Sequence, residues 1–208
     1  MNAENILTSL NRIAELYAPG VIDTPEYEKL AQSLREEIAL AEQKRAGNVD
    51  RFKAAVKFAK KCNRDMQEIK PYLAGAYTDC NGKQYIVHSF MAVRYDVPFD
   101  GLVEAEEGIR PSVDNMMSTY DRSRSYTLPE LGHLKTKFRI DKAEKHLDAH
   151  GRSITELDGI CFNTEYLIQL IEMVEPEEVY FSNNRKNANL VVFGKGAAGI
   201  LCPVKRVD

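Results

Sequence analysis

The sequence predicts an α+β protein, and three observations carry that prediction. Apolar residues recur every three to four positions, between good caps and breakers, in residues 3–46, 51–63 and 164–174. Short runs rich in β-branched and aromatic residues follow. Met91, Val93, Tyr95 and Val97 alternate with Ala92, Arg94 and Asp96, while Val179-Tyr180-Phe181 precedes Leu190-Val191-Val192-Phe193. The order helix-then-strands therefore occurs twice, from Arg51 and from Asn163, without evident sequence identity between the copies.

The first element is a helical hairpin, 1–48. Ile6, Leu10, Ile13 and Tyr17 form one stripe, and Ala18-Pro19-Gly20 breaks it. Thr24-Pro25 restarts the helix with an N-cap and a proline at the first helical position. Tyr27, Leu30, Leu34 and Ile38 then repeat until Ala46-Gly47-Asn48. Such a hairpin cannot bury its apolar stripes alone, so it packs on the main domain or on another subunit.

Residues 49–208 read as one domain with halves 51–97 and 159–208 and an insertion, 98–158. In the first half a helix, Arg51–Asn63, precedes strands Tyr72–Cys80 and Lys83–His88, with Asn81-Gly82 as a hairpin signal between them. The strand 91–97 is expected to be half-buried and ends at Pro98. Within the insertion, Val113, Met116 and Met117 mark a short helix, and 118–129 is a polar connection. Leu131, Leu134 and Phe138 mark a longer helix directed towards Leu147. In the second half Asn163 is an N-cap, and Phe162 and Leu167 stand at the positions of a hydrophobic staple. Glu175-Pro176 ends the helix, strands follow, and a last strand runs from Ile200 to Arg206.

The chain has 208 residues, ordinary hydrophobic content and a formal net charge of −3, which argues against global attraction to nucleic acid but leaves room for a local basic face. No apolar run approaches a membrane span, so no membrane partner is expected. Cys62, Cys80, Cys161 and Cys202 occur singly, as small buried thiols would in a reducing cytoplasm.

The strongest local charge feature is the first helix. Lys53, Lys57, Lys60, Lys61 and Arg64 share one face, and with Arg51 the segment 51–64 carries six positive charges and no negative one. This face either meets an anionic partner or is simply solvated. The corresponding stretch Glu165–Glu178 holds five glutamates and no cation, so a duplex would be repelled there unless Lys135, Lys137, Arg139, Lys142 and Lys145 of the insertion compensate. Enzymatic signals are thin. His146 and His150 have i, i+4 spacing but no third ligand, Gly194–Gly199 reads as a hairpin turn, and nothing specifies a nucleophile or an acid–base pair. The expectation is a non-enzyme without metal or cofactor.

Phe162-Asn163-x-x-Tyr166-Leu167, followed by strands and a terminal Cys202-Pro203-Val204-Lys205, resembles the C-terminal end of the bacterial replicative sliding clamp, and residues 51–97 resemble its preceding half more weakly. The resemblance implies a DNA-clamp fold of two helix-plus-sheet halves and a non-catalytic processivity or tethering role in DNA replication or repair. It places Lys53, Lys57, Lys60, Lys61 and Arg64 against the backbone of double-stranded DNA. It also places Cys202, Pro203, Val204 and Lys205 in a groove for peptides of polymerases or other replication proteins, although these residues read equally well as a core strand. With one such domain per chain, an equivalent ring needs about six subunits, so the implied assembly is a homo-oligomer of a phage or mobile-element type. The alternative is a protein–protein adaptor or inhibitor of clamp-like fold that does not encircle DNA.

Overall fold

The structure is a computed structural model that describes residues 3–18, 20–183 and 188–205. Pro19, the 184–187 turn and Arg206 fall outside the described residues, as does the side chain of Tyr17. Helices α1 (Ala3–Tyr17) and α2 (Pro25–Ala46) form the N-terminal hairpin, and Thr24 caps α2 by accepting from the Tyr27 amide. Helix α3 (Val49–Met66) leads into a meander of β1 (Ala76–Thr78), β2 (Gln84–Val87) and β3 (Met91–Tyr95). Then come α4 (Val113–Ser118), β4 (Tyr120–Ser125) and α5 (Leu131–Ala143). A small hairpin, β5 (Ile154–Leu157) and β6 (Ile160–Asn163), precedes α6 (Thr164–Val174). A second meander of β7 (Pro176–Ser182), β8 (Leu190–Gly194) and β9 (Ala197–Leu201) completes the chain.

Seven strands form one antiparallel sheet in the order β1-β2-β3-β9-β8-β7-β4. Each helix-plus-meander half contributes three neighbouring strands, and the halves join where β3 pairs antiparallel with β9, Val93 opposite Gly199. The topology is thus twofold about the β3–β9 seam. Because side chains alternate across a strand, the sheet has two packed faces. Met91, Val93 and Tyr95 of β3 and Leu190 and Val192 of β8 join Phe52, Phe58, Leu167, Leu170 and Met173 from α3 and α6 in one cluster. Ala92, Val191, Ala198 and Ile200 face the other way, against Val113 and Met117 around α4.

On the first face the helices lie side by side in the order α2-α3-α6-α5. Here α2 packs where Ala39 is only 2% exposed, and it crosses Gly101 so closely that a Cβ there would meet the Arg35 carbonyl at 2.8 Å. Gly101 also has φ +78°, a conformation that suits a residue without Cβ. The far end of the hairpin is less covered, leaving Leu10, Ile13 and Leu30 exposed.

Strand 91–97 is not half-buried: the α4 segment covers its second face, and pairing ends at Tyr95. The stretch 72–80 forms a 3-10 turn at Pro71–Leu73 and only three strand residues. Asn81-Gly82 belongs to a longer loop, because Asp79 collects the amides of Asn81 and Lys83 at 2.9 Å each. Polar residues 120–125 are an edge strand, not a connection. The terminal strand stops at Leu201.

Candidate nucleic-acid interface

Helix α3 exposes one face and buries the other, as its pattern demands: Phe52, Ala55, Phe58, Ala59 and Cys62 turn to the sheet while Lys53, Lys57, Lys60 and Arg64 are exposed. Arg51 does not belong to the basic face. It is buried, donates to the carbonyls of Met173 at 2.8 Å and Lys195 at 2.9 Å, and lies 5.4 Å over the Tyr95 ring. It therefore ties the start of α3 to the end of α6 and to the β8–β9 turn.

The remaining cations divide into two groups. Lys60 meets Glu36 of α2 at 2.7 Å, Arg64 meets its neighbour Asp65 at 2.9 Å, and Lys61 lies 4.0 Å from Glu165 of α6. Among the described residues, no carboxylate lies within ion-pair distance of Lys53 or Lys57. These two form a ridge between two clefts. A cleft of about 700 Å³ runs between α2 and α3, with Glu36 and Glu37 on one wall and Lys60 and Arg64 on the other. A second, of about 570 Å³, lies towards α5 and α6 and includes Lys135, Glu172 and Glu175.

The acidity of the second half is smaller at this face than the sequence implied. Helix α6 ends at Val174, so only Glu165 and Glu172 are helical. Glu175 is a left-handed cap at φ 50°, and Glu177 and Glu178 are on β7. Lys135 of α5 meets Glu172 at 2.7 Å, so the insertion neutralises α6 as well as flanking it. Lys137 is occupied by Asp141, and Lys142 lies 4.5 Å over the Phe138 ring.

At the far end of α3 lies a cluster that the sequence did not reveal. His88 stands 3.5 Å from Asp65 and 3.4 Å from the Tyr166 hydroxyl, and its ring neighbours Phe58 and Phe90. Burial holds the imidazole below its ordinary range despite the opposing charge of Asp65. Burial, reinforced by Asp65, pushes the Cys62 thiol up to about 12, which makes it inert.

Cys202, Pro203, Val204 and Lys205 follow β9 as irregular chain. Cys202 N–H donates to Phe90 O and Val204 N–H to Cys161 O, both at 2.8 Å, and Arg152 donates to Lys205 O at 2.9 Å. Cys202 lines an apolar pocket of about 340 Å³ with Leu73, Val87 and Ile200 and, from the β2–β3 turn, His88 and Phe90. His146 and His150 lie beyond the end of α5, so their helical spacing is not realised, and no group of potential metal ligands forms among the described residues. No helix among them is long and apolar enough to cross a membrane.

No protein-family model matches the chain, and no curated protein or solved structure matches it.

Proposed function

We propose that this protein is a non-catalytic, clamp-like tethering factor that associates with duplex DNA during replication or repair. The observation that carries the reading is the placement of α3 and α6 side by side on one face of a sheet shared by both halves, with Lys53 and Lys57 exposed and, among the described residues, no carboxylate within ion-pair distance of them. Cations held on a rigid scaffold bind phosphates through counterion release and read no bases, which suits a protein that must move along DNA. Lys60, Lys61 and Arg64 are secondary contacts, available once their carboxylate partners are displaced. The site of action is the cytoplasm, and several copies of the chain assemble around or along the duplex.

Fluorescence anisotropy with a labelled duplex across a salt series tests this. Binding should weaken steeply with salt, and replacing Lys53 and Lys57 with glutamine should reduce the log–log slope by about two. An unchanged slope removes the ridge from the site. The second reading, a protein–protein adaptor, is favoured by the apolar pocket beside Cys202. It predicts capture of an apolar peptide by a chain with no affinity for DNA.

A further inference from the structure

We propose that Phe90 and Tyr166, backed by the buried ring of His88, form a stacking site for one unpaired nucleobase, so that the chain recognises the junction of duplex and single strand. This rests on the DNA-binding reading above and names which DNA is preferred. The site is assembled from both halves: His88 and Phe90 flank the β2–β3 turn, Tyr166 sits in the first turn of α6, and Lys61 comes from α3. The three ring centroids are 5.4 Å apart for His88 and Tyr166, and 6.3 Å for each pair involving Phe90.

Phe90 is 46% exposed, and its backbone is held in place. Its carbonyl accepts from the Cys202 amide at 2.8 Å, and the His88 amide closes the turn on Met91 O at 2.8 Å. A single exposed aromatic ring is ordinary; one on a braced turn, packed beside two further rings and a cation, is suited to binding. The Lys61 ammonium lies 4.9 Å over the Tyr166 ring and continues the basic face of α3 to the edge of the step. Asp65 and Glu165 stand beside the rings and disfavour a phosphate directly on them. The arrangement therefore separates the two parts of a nucleotide, with phosphate directed to the lysines and the uncharged base to the rings. Base–aromatic stacking tolerates every sequence, which is compatible with non-specific duplex binding on α3.

The test compares a blunt duplex with the same duplex carrying a short single-stranded overhang that contains 2-aminopurine. The 208-residue chain should bind the overhang substrate about tenfold more tightly and quench the 2-aminopurine. Phe90→Ala should remove both the preference and the quenching while leaving blunt-duplex affinity unchanged. Phe90→Leu, which keeps apolar bulk but not the π-face, should behave as Phe90→Ala. Replacing Lys53 and Lys57 with glutamine should weaken both substrates and preserve their ratio. Equal wild-type affinity for the two substrates overturns the stacking site alone, as does a preference that survives in Phe90→Leu. Absence of binding to either substrate overturns this inference together with the DNA reading.

Discussion

Helices α3 and α6 occupy equivalent places in the two halves, yet one presents lysines and the other glutamates. Their neighbours account for much of the difference. Glu36 of α2 stands against Lys60, Lys61 of α3 approaches Glu165 of α6, and Glu172 of α6 meets Lys135 of α5. Charge thus alternates across the four-helix layer. Exposed pairs of this kind contribute about 0–1 kcal/mol each, so they do not hold the layer together; the apolar cluster beneath does. What the pairs do is select which cations stay available. Lys53 and Lys57 remain, and the comparison teaches that a run of basic residues overstates the basic surface until its flanking elements are known.

The two helices also end differently. Helix α3 runs into a helical cap at Gln67, but α6 stops abruptly at Glu175 because β7 begins at once. Gly194 permits this close reversal: a Cβ there would lie 2.1 Å from the Val174 carbonyl and 2.7 Å from the Glu175 carbonyl. Gly194→Ala forces backbone apart from backbone and should destabilise the fold by about 3 kcal/mol in urea unfolding. Gly132→Ala, on α5 with open space around the added carbon, should instead stabilise by about 0.5 kcal/mol.

Reversing charge sharpens the division within α3. Lys53→Glu with Lys57→Glu should weaken duplex binding about a hundredfold at low salt, whereas Lys60→Gln should change it by less than about threefold. A loss from Lys60→Gln as large as that from Lys53→Gln alone would mean that the Lys60–Glu36 pair opens on binding. The converse substitution has a smaller effect: Glu36→Gln with Glu165→Gln should release Lys60 and Lys61 and raise affinity about threefold, with a steeper salt dependence.

Much of this organisation was legible in the sequence, for local reasons. The Thr24 and Asn163 caps, the breaks at Gly47 and Pro176, and the repeated helix-then-strands order all act within a few residues. What escaped was set at a distance. Arg51 counts as a surface charge until its acceptors are known, and these are 122 and 144 positions away. The alternation of β3 predicts a solvated face, and only the packing of Val113 and Met117 onto that side removes it. The ring step has no sequence signature, because His88 and Tyr166 come from different halves.

The smallest effect concerns two turns that share a device. Asp79 accepts the amides of residues two and four positions on, Asn81 and Lys83, and Asp148 does the same with His150 and Arg152. The resemblance ends at the side chains. Among the described residues, Asp79 accepts its further bonds from uncharged groups of Asn81 and Tyr85, whereas the Arg152 guanidinium grips Asp148 at 2.9 Å and 2.5 Å. That hydrogen bond, with the amides and the arginine charge, holds the Asp148 carboxyl down to about 2 against burial. A carboxyl depressed in the folded state adds stability above its unfolded value of 3.8, and this is lost as pH falls through the folded value. The stability difference between wild type and Asp148→Asn should therefore be constant above about pH 5 and shrink between about pH 4 and pH 2. Arg152→Gln should narrow that window from below, since it leaves the carboxylate of Asp148 with neutral donors, as Asp79 has. A window unchanged in Arg152→Gln would mean that the amides alone set the titration, and that the two turns are alike after all.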